Sequence, residues 1–230
     1  MKMRKIERVK ILYIVFLIIL FLELLGSLGA IFFSSSQITR DAGVTNTFLV
    51  VITTIVILIP WIIESRYHID IPDYLEVILL AMLFIGVVLG FLNDYYVDVK
   101  GFDKFTHTLS GITLSIIAFQ TLYILNQSTK ISFKLGSLAL SIYAFTFSIT
   151  LLVVWEFYEF TIDTIAYRLD ETTQRNMQRY QWINDSISFP QDYGLYDTMI
   201  DLIVGAIGAL VVVVIGYFLL KHSEKKQSRT

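Results

Sequence analysis

Cysteine is missing altogether from this chain, which removes disulfides, thiolate metal sites and cysteine nucleophiles in one step. Any metal would have to be held by oxygen and imidazole. Charge is scarce as well. Asp, Glu, Lys and Arg make up 17% of the residues, against about 25% in soluble domains, while 55% are hydrophobic and the mean hydropathy is +0.66. That balance excludes an ordinary soluble domain. The net charge of -2 and the lack of a basic patch exclude a nucleic-acid partner, because phosphate backbones call for clustered Lys and Arg. Phosphatase, zincin, P-loop and serine-hydrolase signatures are missing too.

Long apolar runs take the place of these features. Six of them approach the roughly 20 residues needed to cross a bilayer core: 11–33, 47–63, 74–92, 105–125, 135–160 and 199–220. They predict an all-α integral membrane protein, a six-transmembrane-helix bundle forming a single polytopic membrane domain over residues 1–230, with membrane lipids as its surroundings. The first run follows Lys2, Arg4, Lys5, Arg8 and Lys10 and exceeds a signal-peptide core of about 7 to 15 residues, so it is expected to be a retained helix. With the N-terminus inside, the inner loops and ends carry twice as many Lys and Arg residues as the outer ones. By the positive-inside rule this places both termini in the cytoplasm. Pro60 is expected to kink the second helix. Gly26 with Gly29, and Gly205 with Gly208, suit close helix packing. The stretch 167–196 is too long for an ordinary connection, and Tyr180, Trp182, Ile183, Ile187 and Phe189 within it suit an amphipathic piece at the interface.

Ionisable side chains within spans are costly and point to function by default. Here they cluster. FDKFTHTLSG opens the fourth span, with Asp103 and His107 one helical turn apart. WEFYEFTID closes the fifth, where Glu156, Glu159 and Asp163 share a face, and YDTMIDLIVGAIG opens the sixth with Asp197 and Asp201 one turn apart. Alternating crossings put all three groups, and Asp94 after the third span, at the extracytoplasmic ends. Carboxylates so close together must bind protons, pair with bases or surround a cation. Lys104 and the outer arginines are the nearby bases. Carboxylates with imidazole suit a divalent ion such as Zn, Mn, Fe or Mg. A plainer account has Asp103 and Asp197 serving only the helix dipole, although this does not cover Glu156 or Glu159 at a C-terminal end.

These three segments resemble the YjdF-like family of bacterial inner-membrane proteins and, more distantly, VanZ-like proteins. Tyr196-Asp197 fits the aromatic-Asp of the YjdF-like pattern, and Met199 stands where that pattern carries Gln. The resemblance implies a bacterial cytoplasmic membrane and no settled activity. VanZ-like proteins are associated with glycopeptide resistance, which implies the cell envelope. Three readings follow. In the first, Asp103, His107, Glu156, Glu159 and Asp201 hold a divalent metal ion for hydrolysis or transfer on a lipid or envelope precursor, with Asp197 and Glu159 catalytic and Asp197 the general base. In the second, the same groups couple transport to protons or cations. In the third, the protein is a non-catalytic scaffold or antibiotic-response protein whose charges fix helix packing.

Overall fold

The computed structural model describes residues 3–67, 71–127, 134–169, 177–178 and 192–227. No strand occurs among them. Six helices there are long and apolar enough to cross a membrane, and the fold is an all-α membrane bundle. The chain divides into two compact units, Met1–Val99 and Lys100–Thr230.

In the first unit α1 (Met3–Phe33) and α2 (Gln37–Tyr67) are joined by a short turn and pack side by side. Helix α3 (Asp73–Leu83) runs directly into a π-helical segment, Phe84–Leu92, followed by the short α4 (Tyr95–Asp98). Phe16, Leu20, Val50, Ile57, Leu80 and Val88 form the core, while Ile18, Phe21, Phe48 and Ile55 lie on the surface. Apolar side chains on the outside suit a lipid solvent, and the helical backbone satisfies its own polar groups there. Pro60 sits inside α2, which continues to Tyr67. After the π segment, Asn93 donates its side-chain amide to the Val88 carbonyl at 2.6 Å. Asp94 adopts a left-handed conformation, φ 57°, which lets its carbonyl accept the Val97 and Asp98 amides and start α4.

The second unit consists of α5 (Phe102–Gln127), α6 (Ser137–Leu169) and α7 (Tyr193–Gln227), each packed against the other two. One end is tied by side-chain caps. Asn126 exchanges two hydrogen bonds with the Leu135 backbone, and Glu224 near the end of α7 accepts from the Ser137 amide and hydroxyl at the start of α6. Halfway along, Ser115 and Ser148 share a hydrogen bond of 2.8 Å, a buried polar link that costs little because each hydroxyl has a partner.

Glycine sets the spacing of α5 and α7. A methyl group on Gly111 would run into the Gly205 backbone, and one on Gly208 into the Thr108 carbonyl, so the two helices approach as closely as small residues allow. The packing expected of Gly205 and Gly208 is therefore present. That expected of Gly26 and Gly29 is not, since nothing lies within 4 Å of a methyl built at either. The glycine at the α1–α2 contact is Gly43, whose added Cβ would meet the Ser27 carbonyl oxygen at 2.8 Å.

Helix ends overrun the apolar runs. Helix α2 begins at Gln37 rather than near residue 47, α6 continues to Leu169, and α7 begins at Tyr193 rather than near residue 199. Hydropathy marks the part of a helix inside hydrocarbon, whereas polar caps decide where it starts. The Ser36 hydroxyl accepts the Thr39 amide before α2, and the Asp192 carboxylate accepts the Gly194 amide before α7. The amphipathic piece expected at Tyr180, Trp182, Ile183, Ile187 and Phe189 lies outside the described residues.

Overpacking a close contact costs about 1–3 kcal/mol. Gly111→Ala and Gly208→Ala should therefore lower the thermal midpoint of the detergent-purified protein, and Gly29→Ala should not. Equal midpoints for all three would remove the close α5–α7 contact.

Candidate functional site

All three charged segments converge inside the second unit. Asp103, Lys104 and His107 occupy the first turns of α5, Glu156 and Glu159 lie in the C-terminal half of α6, and Asp197 and Asp201 lie in the first turns of α7. Five of them are deeply buried, Asp201 at 0%, Asp197 at 1% and Glu156 at 4% exposed among them, while Asp103 and Lys104 are partly buried. Water cannot solvate them there, so each charge must be met by a partner within the protein.

Lys104 meets three of them. Its ammonium donates to Asp103 Oδ2 at 2.9 Å, to Asp201 Oδ2 at 2.7 Å and to Asp197 Oδ1. Two helices thus supply three carboxylates to one cation. Expected only as a nearby base, this lysine turns out to be the hub of one half of the cluster. The signal in the sequence is its position between Asp103 and His107 in the first turn of a span, where an ammonium without carboxylate partners would be costly.

His107 organises the other half. Its Nε2 lies 3.5 Å from Asp103 Oδ1 and 4.0 Å from Asp201 Oδ1, and its Nδ1 lies 3.7 Å from Glu156 Oε1. Glu159 completes the set and accepts the Trp155 indole N–H at 2.7 Å. Trp155 thereby fixes a site residue. Four buried carboxylate oxygens, both of Glu156, Oδ2 of Asp197 and Oδ1 of Asp201, have no hydrogen-bond partner among the described residues.

These atoms form two overlapping ligand triads, Asp103–His107–Asp201 and His107–Glu156–Glu159, with one ligand atom from each residue within 4.8 Å of the others. The imidazole sits between them, one nitrogen toward each. Direct hydrogen bonds span about 2.7–3.2 Å. Two ligands on one tetrahedral ion with bonds near 2.0–2.1 Å stand about 3.3–3.4 Å apart. The separations around His107, 3.5 to 4.0 Å, are too long for most hydrogen bonds and somewhat longer than the ligand spacing. Buried acidic and imidazole groups could therefore bind a metal ion, and the donor set fits a divalent one.

Asp163, on the same face of α6, has a different task. Its carboxylate accepts the Met177 and Gln178 amides at 2.9–3.2 Å, and Gln178 in turn donates to the Thr198 hydroxyl of α7 at 2.7 Å. It pins the chain between α6 and α7. Asp94 belongs to the first unit.

The sequence pattern of a family described as predicted membrane proteins, DUF2238, matches residues 19–222. The chain belongs to this family. It is also 26% identical, over 158 residues that cover 69% of each chain, to an uncharacterised protein of Thermotoga maritima. No solved structure matches it. These likenesses agree with the resemblance to an uncharacterised membrane-protein family read from the motifs, do not extend to the VanZ-like proteins, and carry no activity of their own.

Lys104 is open to a direct test. Removing one partner of a buried ion pair typically costs about 3–5 kcal/mol, because the remaining charge is stranded. Lys104→Met should lower stability by about that much, measured by thermal unfolding in detergent. Lys104→Met combined with Asp197→Asn and Asp201→Asn should recover part of the loss. A Lys104→Met protein as stable as wild type would show that the lysine does not hold the carboxylates.

Proposed function

We propose that the second unit carries a divalent metal site at the extracytoplasmic face of a bacterial cytoplasmic membrane, and that it serves hydrolysis or group transfer on a lipid or envelope precursor. The observation that carries this reading is His107, shared by two acidic triads with its nitrogens 3.5 to 4.0 Å from three carboxylates, beside oxygens of Glu156 and Asp201 that have no hydrogen-bond partner among the described residues. Asp103, His107, Glu156, Glu159 and Asp201 are the proposed ligands. A divalent ion held by them would polarise a phosphoryl or acyl oxygen or activate water. Asp197 would act as general base through Oδ2, since Lys104 takes Oδ1 and keeps the carboxylate oriented. Trp155 orients Glu159 through its indole hydrogen bond.

The sidedness rests on charge. The chain has six candidate spans, and its first ten residues and its last ten both carry several Lys and Arg residues. An even number of crossings returns the C-terminus to the side of the N-terminus, and the excess of positive charge assigns that side to the cytoplasm. The starts of α5 and α7 and the end of α6 then face outward. Reporter fusions after Thr230 and within the 170–191 stretch should accordingly report opposite sides of the membrane. Fusions reporting the same side would overturn the orientation.

The metal is tested on the purified full-length chain. Wild type should contain a stoichiometric divalent ion by elemental analysis, while His107→Ala and Asp201→Asn should each lose most of it. An ion present at about a hundredfold over its Kd contributes about 2.7 kcal/mol of stability. A chelator should therefore lower the melting point of wild type and leave both variants and their double mutant unmoved. Residues that share an ion are coupled, whereas independent charges add. Additive stability losses with no response to chelator would count against the site.

A further inference from the structure

The connection between α6 and α7 reaches back to the acidic cluster through Asp163, Gln178 and Thr198. Asp163 of α6 holds the Gln178 backbone amide through Oδ2 at 2.9 Å. Held there, Gln178 turns its own side-chain amide onto α7 and donates to the Thr198 hydroxyl at 2.7 Å. Thr198 directly follows Asp197 in the chain and, with Glu156, Asp163 and Gln178, borders one cavity of about 970 Å³. The run of contacts therefore ends beside Glu156, one of the groups that face His107.

A hydroxyl has one hydrogen to donate and two lone pairs to accept with. Thr54, Thr108 and Thr150 spend that hydrogen on the carbonyl one turn back in their own helix. Thr198 makes no such bond among the described residues and accepts from Gln178 instead. Because the amide occupies a lone pair, the O–H is turned away from it and is left for another acceptor. Glu156 is that acceptor. The Thr198 hydroxyl lies within electrostatic reach of its carboxylate, which is buried with no hydrogen bond yet formed to either oxygen. We propose that Thr198, oriented by Gln178, is a positioning residue for Glu156: it donates to Oε2 and thereby aims Oε1, 3.7 Å from His107 Nδ1, at the ion. Partners outside the ligand set orient metal ligands in this way, and their loss typically costs about 10–100-fold in metal affinity. A hydrogen bond to the charged form also favours the carboxylate that an ion needs. The grip on the ion then depends on a residue of the α6–α7 connection that touches no ligand.

This inference rests on the metal-site reading for the role of Glu156 as a ligand, and not for the hydrogen bond itself, so two readouts keep them apart. Zinc is titrated into the chelator-stripped, detergent-purified full chain of wild type, Thr198→Val, Thr198→Ser and Gln178→Leu. The infrared carboxyl band of Glu156, identified by its loss in Glu156→Gln, is recorded on the same ion-free samples. Thr198→Val and Gln178→Leu should each weaken zinc binding about tenfold or more and shift the band. Thr198→Ser keeps the hydroxyl and should restore both. Gln178→Leu carries the test should Thr198→Val fail to fold, because it alters the connection and not a helix. A band that does not shift overturns the proposal whatever zinc does, and so does a loss that Thr198→Ser leaves unrepaired. If wild type binds zinc and the variants bind it equally well, the relay fails and the metal site stands. If wild type binds no zinc while the band shifts and recovers as expected, the hydrogen bond stands and the metal reading fails.

Discussion

A carboxylate buried between apolar helices has lost its water and must find replacement charge or hydrogen bonds inside the protein. The second unit gathers five such groups, Asp103, Glu156, Glu159, Asp197 and Asp201, around one lysine and one histidine. Most features of the unit follow from that constraint. Lys104 takes three of the carboxylates, the Trp155 indole takes one oxygen of Glu159, and four buried carboxylate oxygens are left without a donor among the described residues. Even with the imidazole protonated, two cations leave five carboxylates with excess negative charge. Protons or a bound cation must cancel the remainder, and that need motivates an ion at His107.

The cluster can exist only because the helices carrying it come unusually close. Gly205 lies one turn beyond Asp201, and a methyl there would press on Leu152 and on the His107 carbonyl oxygen at 3.3 Å. Gly111 lies one turn beyond His107 and faces Gly205 itself. The small residues therefore stand next to the charged ones along both helices, and they set the distance at which Asp201 reaches Lys104 and His107. Packing and chemistry are coupled here: a wider α5–α7 separation would pull the ligand atoms apart before it unfolded the unit.

Much of this is legible along the chain, because the relevant signals are local. The six apolar runs mark the crossings, and the one-turn spacings of Asp103 with His107, Glu156 with Glu159, and Asp197 with Asp201 mark the faces. Alternating direction then brings the three faces to one end. What is illegible depends on partners far away in sequence. Lys104 sits beside Asp103 in the chain, but its bonds to Asp197 and Asp201 cross more than ninety residues, and no periodicity announces them. The anchoring role of Asp163 depends on amides at Met177 and Gln178 within a polar connection. Gly26 and Gly29 have the same spacing as Gly205 and Gly208, yet only the second pair meets a neighbouring backbone. Spacing says which residues share a face and not what that face touches.

The division of oxygens bears on whether an ion at this site is resident or exchanged. In a carrier that swaps an internal lysine for its cargo, the ammonium and the ion compete for the same atoms. Here Asp103 and Asp201 each give Oδ2 to Lys104 and turn Oδ1 toward His107. An ion at His107 and an ammonium at Lys104 can thus share two carboxylates without displacing one another, since the carboxylates between them screen the two cations and each cation relieves the repulsion among the carboxylates. Lys104 then acts as a fixed counter-charge that presents the free oxygens, in the way outer-shell partners orient metal ligands. Such coexistence would suit a permanently held ion, which the proposed hydrolysis or transfer needs and exchange of a transported ion does not.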